Sequence, residues 1–270
     1  MAESVVPVID IAPFLAGGAE DKARVVAEVD AACRDIGFLV ISRHGVPDTE
    51  TRELQRVARA FFDLPHWEKL RVKMPPDRYR GFMAVGNEDV AYSMDEAEKA
   101  PDWRESFVTG PSNHAYDKYH YGPDGWRFFA ANLWPDNPSE MRQLWQAYYL
   151  QMERLAGDLM RIFALALGLD EHFFADKIDK HITNFTTCYY PPQLTPPEKN
   201  QLRCGPHSDY GSLTIVTSDT PVGGLQVRGK DGAWSDVPCI PGTFTVNLGD
   251  LMAEWTNDRW RSTLHRVVNP

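Results

Sequence analysis

The first apolar run, Val5 to Ile11, is short and broken by Pro7, and reads as a brief strand ending in the Gly17-Gly18 turn. Between Asp21 and Ile36, apolar side chains recur at Val25, Val26, Val29, Ala32 and Cys33, a three-to-four spacing that predicts an amphipathic helix. Gly37 stops that pattern. Phe38 to Ile41 is then continuously apolar, as a strand buried on both faces would be, and His44-Gly45-Val46-Pro47 closes it. A second helix is expected from about Thr49 to Leu64, with Leu54, Val57, Ala58, Phe61 and Phe62 on one face and Pro65 as its stop. Residues 71 to 137 lack periodicity and are rich in Pro, Gly, Asp and aromatics, so loops and short strands with substrate contacts are expected there. The longest helix is predicted over Pro138–Leu167. Its stripe of Met141, Leu144, Tyr148, Met152, Leu155, Leu159, Ile162 and Ala166 is read as core packing.

After about Thr183 the period changes. Short β-rich runs follow at 186–190, 212–217, 224–227, 243–248 and 262–268, separated by Pro, Gly and Asp turn signals. Many short strands at regular spacing suggest a barrel or a double-sheet jelly roll. The expected fold class is therefore α+β: a double-stranded β-helix (jelly-roll, cupin-like) core flanked by N-terminal helices. The expected organisation is a mixed region over 1–137 and a core region over 138–270, joined in one compact unit.

Composition narrows the function classes. The chain has 270 residues, 28 Lys and Arg against 38 Asp and Glu, and a net charge of −10. That balance disfavours nucleic acid and anionic membrane as partners, since both select clustered basic residues. Nothing approaches the roughly 18–20 apolar residues of a membrane span, and the N-terminus has no signal-like pattern. The cysteines at 33, 188, 204 and 239 form no Cys-x-x-Cys and read as thiols in a reducing, cytoplasmic setting. A monomer is expected, because no coiled-coil pattern is present.

The candidate chemistry lies in the β half. His207 and Asp209 in Gly205-Pro206-His207-Ser208-Asp209-Tyr210-Gly211 are two apart, so on an extended strand they share a face. His265, in Thr263-Leu264-His265-Arg266-Val267, is far enough along the chain to return to the same interior from another strand. Two imidazoles and one carboxylate on a single face leave coordination positions open, which is the pattern of non-haem Fe(II) oxygenases. A bare His-x-Asp pair is a weak signal on its own; the flanking blocks strengthen it.

Those blocks include Val6-Pro7-Val8-Ile9-Asp10, Gly37-Phe38, His44-Gly45-Val46-Pro47, Tyr79-Arg80-Gly81-Phe82 and Glu105-Ser106-Phe107. In the second half they include Tyr189-Tyr190-Pro191-Pro192, Gly223-Gly224-Leu225-Gln226-Val227, Asn247-Leu248-Gly249-Asp250 and Ser262 through Val267. In content and order they resemble the isopenicillin N synthase-like branch of the Fe(II)/2-oxoglutarate-dependent dioxygenases, over nearly the whole chain. The resemblance implies His207, Asp209 and His265 as iron ligands and Tyr190 as a contact for the distal carboxylate of 2-oxoglutarate. Cys188 stands where many plant members carry Asn. His44 is expected to be structural, Tyr210, Gly211 and Leu225 to shape pocket walls, and Arg80 and Arg104 to form exposed salt bridges, with binding of an anionic substrate group as the alternative for each. The family's Arg-x-Ser carboxylate clamp is absent from a sequence that stops at Pro270, so a truncated or incompletely recorded chain is expected; were 270 residues the whole protein, weakened cosubstrate binding would follow.

The implied reaction uses O2 and 2-oxoglutarate, releases succinate and CO2, and hydroxylates, desaturates or cyclises a small molecule. One alternative is an oxidase like isopenicillin N synthase, which needs no 2-oxoglutarate; another is a non-catalytic barrel that binds a small ligand. A zinc hydrolase is disfavoured, because zinc sites prefer His- or Cys-rich ligand sets.

Overall fold

A computed structural model describes residues 5–86, 101–193, 196–219 and 223–269. The part of the expected substrate-contact region spanning 87–100 lies outside the described residues. In chain order the elements are β1 (Val8–Asp10), α1 (Ala12–Ala16), α2 (Ala19–Asp35), β2 (Phe38–Ser42), α3 (Asp48–Phe62), α4 (His66–Lys69), β3 (Gly81–Met83) and β4 (Glu105–Thr109). Then come α5 (Lys118–Tyr121), α6 (Met141–Ala166), β5 (Phe185–Tyr189), β6 (Cys204–His207), β7 (Leu213–Val216), β8 (Leu225–Arg228) and β9 (Trp234–Asp236), followed by β10 (Phe244–Leu248), α7 (Asp250–Trp255) and β11 (His265–Val267).

Two four-stranded sheets form the core, in the orders β1-β2-β10-β7 and β6-β11-β8-β9, and a three-stranded sheet β3-β4-β5 lies apart. Among the described residues, hydrogen bonding does not close these sheets into a barrel. β2 shows why its sequence is apolar throughout. Successive strand side chains point to opposite faces. Leu39 and Ile41 join α2, α3 and α6 in the larger core, while Phe38 and Val40 meet Val227 of the other sheet in a second cluster. This element, near the N-terminus, is therefore the partition between the helical layer and the interior that holds the site.

The helices follow their predicted stripes. Val25, Val29 and Cys33 of α2, Leu54, Val57 and Phe61 of α3, and Leu155, Leu159 and Ile162 of α6 are all buried in the larger cluster. Fully burying one such side chain contributes about 1.5–3 kcal/mol, so the helical layer holds β2 and β10 firmly in place. Gly37 joins α2 to β2 with φ +69°, a conformation that glycine adopts without strain. It also gives close access, because a Cβ there would lie 2.1 Å from the Arg261 carbonyl oxygen. Thr263 Oγ1 donates to the Ile36 carbonyl at 2.7 Å, so the segment entering β11 is tied to the end of α2.

Strands β6 and β9 and helix α7 do not stand out in the hydrophobic pattern. β6 is Cys-Gly-Pro-His and β9 is only Trp-Ser-Asp, so neither carries an apolar alternation; pairing with neighbours defines them.

Candidate metal centre

His207 ends β6, and His265 begins β11. The two strands are antiparallel neighbours that place these residues directly opposite each other, with a register irregularity just beyond His265. The imidazole rings are 4.2 Å apart. Asp209 does not sit on the strand with His207, contrary to the expectation of an extended His-x-Asp. β6 stops at His207, and Asp209 lies in the following loop. That loop is fixed from outside: the backbone N–H of Asp250 donates to the Asp209 carbonyl at 2.7 Å, and that of Leu251 to the Tyr210 carbonyl at 3.2 Å. Gly249 makes this approach possible, since a Cβ there would stand 2.7 Å from the Asp209 carbonyl oxygen and 2.1 Å from that of Gly211.

The result is a convergent donor set. Asp209 Oδ1 lies 3.6 Å from Nε2 of His207 and 3.6 Å from Nε2 of His265. One ligand atom from each of the three residues falls within 4.8 Å of the others. Each imidazole has its other nitrogen committed: His207 Nδ1 donates to the Gly205 carbonyl at 2.8 Å, and His265 Nδ1 to the Thr263 carbonyl at 3.1 Å. A carbonyl only accepts, so both Nδ1 atoms carry the proton, and in the neutral ring the Nε2 lone pair is left facing the carboxylate. On Asp209 the second oxygen is likewise occupied. Oδ2 accepts from Thr214 Oγ1 at 2.5 Å and from Asn247 Nδ2 at 2.7 Å, leaving Oδ1 to the centre.

The electrostatics agree with this division. Burial, reinforced by the neighbouring His265, pushes His207 down to about 4, so its imidazole is neutral at physiological pH. Burial alone would raise Asp209, but His265 and the Thr214 and Asn247 hydrogen bonds outweigh it, and the carboxyl is held below its ordinary range. The Nε2 lone pair of the neutral His207 faces the anionic Asp209 Oδ1 at 3.6 Å, an arrangement that a cation between them would stabilise. The donor set of two imidazoles and one carboxylate fits Fe(II).

Tyr190 follows β5 and is near this centre. Burial raises its phenol well above the usual value of 10, with the Cys188 and Cys204 thiols adding to the shift, so it remains a hydroxyl donor; Arg104 hydrogen-bonds to it. Arg104 also approaches the Cys204 sulfur at 3.5 Å, and that sulfur lies 3.8 Å from His207 Nδ1. The expectation of exposed salt bridges at Arg80 and Arg104 is corrected. Arg104 does pair with Asp102, at 3.9 Å, but its side chain is only 11% exposed, and Arg80 is wholly buried with its guanidinium held by the Tyr79 and Phe128 carbonyls and the Asn184 amide oxygen. His44 is structural: it stacks on Phe244 at 4.1 Å, and Nδ1 accepts the Val46 N–H. Tyr210 is 77% exposed, and Leu225 packs on the cluster between the sheets. Sequence reasoning assigns no role to Thr214 at the centre and offers Arg104 only as an alternative anion contact; Asn247 is visible only as part of the Asn247–Asp250 block.

Comparison with known proteins settles the family. Residues 6–137 match the N-terminal region described for the non-haem dioxygenases of morphine synthesis, and residues 182–270 match the 2OG-Fe(II) oxygenase superfamily. The chain is 34% identical over 275 residues to validamycin A dioxygenase of Streptomyces hygroscopicus subsp. limoneus, covering 98% of this chain and 72% of that one. The chain belongs to the 2OG-Fe(II) oxygenase superfamily. It is also 36% identical to a homoarginine-6-hydroxylase of Glycine max, with 98% of this chain and 81% of the relative aligned. Among solved structures, a full-length Neurospora crassa protein in complex with alpha-KG superposes with a TM-score of 0.85 at 28% identity, covering 100% of this chain and 81% of that chain. This superfamily has the double-stranded β-helix fold, and its members are Fe(II)- and 2-oxoglutarate-dependent oxidoreductases. No helix among the described residues is long and apolar enough to cross a membrane.

Proposed function

We propose that this oxygenase hydroxylates a small-molecule substrate, with His207 Nε2, Asp209 Oδ1 and His265 Nε2 holding the iron. The observation that carries the assignment is the convergence of these three atoms while each residue's other polar atom is committed elsewhere. When bound, iron and 2-oxoglutarate supply the oxidative decarboxylation that converts O2 into a hydrogen-abstracting oxidant, with succinate and CO2 as products.

The protein's own groups position and shield. The Gly205 and Thr263 carbonyls fix the imidazole tautomers, and Thr214 with Asn247 holds Oδ2 so that Oδ1 would be the oxygen offered to the iron. Phe38, fully buried on β2, packs against the His265 ring with centroids 5.3 Å apart in a T-shaped arrangement and so puts an apolar face beside the centre. Tyr190, hydrogen-bonded by Arg104, offers a hydroxyl to the distal carboxylate of 2-oxoglutarate, with the Arg104 charge adding attraction for that anion. The homoarginine and validamycin named for the relatives favour a small metabolite as substrate and hydroxylation as the outcome. A cytoplasmic location is proposed from the buried free thiol of Cys33. We further propose an isopenicillin N synthase-like lineage within the superfamily, a monomer that binds no nucleic acid, and a functional division at 137/138.

The test is O2-dependent succinate formation from 2-oxoglutarate by the iron-loaded protein, with a panel of small metabolites scored for stimulation. Conversion that is stimulated by a substrate and abolished in His207→Ala supports the proposal. Oxygen consumption without succinate would move the reading to an oxidase.

A further inference from the structure

A cavity of about 450 Å³ lies between the loop after β4 and the first turns of α6. Its size falls within the range of small-ligand sites. The metal centre is near Arg104, at one end of β4, whereas the cavity begins at Pro111, beyond the other end. At the rise of an extended strand, that separation is roughly 20 Å. Trp126, Trp134 and Phe129 give it aromatic walls, Arg142 and the Asp77-paired Arg78 stand at its edge, and His114, held neutral by burial and by the nearby Arg80, adds an imidazole. Among the described residues no Asp or Glu lines it, in a chain whose net charge is −10.

A second observation points to a ligand of negative charge. Arg80 is wholly buried, and its guanidinium donates only to neutral acceptors: Tyr79 O at 2.7 Å, Asn184 Oδ1 at 2.9 Å, and Phe128 O. Its Nε has no partner, and no carboxylate pairs with it among the described residues. Burying a cation without a counter-ion is costly. Gly110 lies against this guanidinium, since a Cβ there would come within 2.0 Å of Arg80 Nη2. Asn132 holds the Gly110 N–H at 2.8 Å and its carbonyl at 2.9 Å, and Asn132 itself lines the cavity. The Arg80 guanidinium therefore stands behind Gly110 and Asn132, and among the described residues no carboxylate balances it. His114 Nδ1 is also buried and without a partner, while Nε2 meets the Tyr121 hydroxyl at 3.1 Å. The nearby carboxylates are engaged: Asp77 pairs with Arg78 at 3.1 Å and Asp117 with His120 at 2.7 Å.

We propose that this cavity binds a small aromatic carboxylate at a site separate from the metal centre. The ring stacks among the Trp and Phe walls, and the carboxylate faces Arg142 and His114 above the buried Arg80 charge.

The test is calorimetric titration, with saturation-transfer NMR, using benzoate, 4-hydroxybenzoate and indole-3-carboxylate against their neutral amides. At least one carboxylate binds, and its amide binds about tenfold more weakly or not at all. Arg142→Gln and Ala131→Trp, both at exposed positions where the fold is undisturbed, each weaken the carboxylate by a similar factor, and Asp209→Ala leaves it unchanged. No binding of any of the three acids at millimolar concentration overturns the proposal. Equal binding of the amides, binding that survives both cavity variants, or binding lost in Asp209→Ala overturns it as well.

Discussion

Asn247→Leu isolates what the surroundings of Asp209 contribute. Asn247 is 2% exposed on β10 and lies opposite Thr214 of β7, so the two side chains reach the same carboxylate oxygen from adjacent strands. Leucine keeps the volume and removes the donor. Hydrogen bonds to charged groups are worth about 1.5–3 kcal/mol, and here one of two is lost, with Thr214 at 2.5 Å retained. A carboxylate held by one donor can rotate, and Oδ1 then meets the imidazoles less often. Loss of such a supporting contact typically weakens metal binding by about 10–100-fold, equivalent to about 1.4–2.7 kcal/mol. The assay is anaerobic competition for Fe(II) against a chromophoric chelator, with circular dichroism confirming the fold. Thr214→Val should lower the affinity in the same direction, and the double variant should lose more than either single one. An Asn247→Leu protein that folds normally and binds Fe(II) within about twofold of wild type would refute the reasoning.

Other perturbations test the frame around the site. Glu105→Gln leaves Lys69, which it meets at 2.6 Å with both side chains under 10% exposed, as an unpaired buried charge; the urea midpoint should report a loss of about 3–5 kcal/mol, and a loss below about 1 kcal/mol contradicts that. Gly37→Ala puts a Cβ against the Arg261 carbonyl at a φ of +69°. It should cost at least about 2 kcal/mol in denaturation and weaken Fe(II) binding through the Thr263 tether; unchanged stability sinks the close-approach argument. Metal-free protein should lose stability as pH falls from 6.5 toward about 4, because burial lowers His207 to about 4 and also lowers His44, so the unfolded chain takes up protons that the native state refuses. The His207 share is on the order of 3 kcal/mol, and a flat denaturation midpoint across that window would contradict the sign.

The helices and the apolar strands are legible because burial writes a period into the sequence. β2 shows this most clearly, with four apolar residues in a row that face two different clusters. The three metal-binding candidates are also legible, through residue type and the blocks around them. Their local geometry is not. A His-x-Asp spacing suggests one strand face, yet Asp209 reaches the centre from a loop that Gly249 and the start of α7 hold in place. Spacing cannot distinguish these cases, since a loop and a strand bring the same two residues together by different backbone paths. Arg80 and Arg104 escape a sequence reading for a related reason. Arginine is usually at the surface, and nothing local signals that a guanidinium will be enclosed by carbonyls from distant loops, as Phe128 and Asn184 enclose Arg80.

The central claim is that His207, Asp209 and His265 form one iron site that also accepts 2-oxoglutarate. Anaerobic titration of the protein with Fe(II) and then 2-oxoglutarate, followed by visible absorption, tests it most directly. Saturation at one iron per chain is expected, with a charge-transfer band that appears only after 2-oxoglutarate is added, and both are lost in Asp209→Ala. A band that persists in Asp209→Ala, or a folded wild-type protein that takes up no iron, would contradict it.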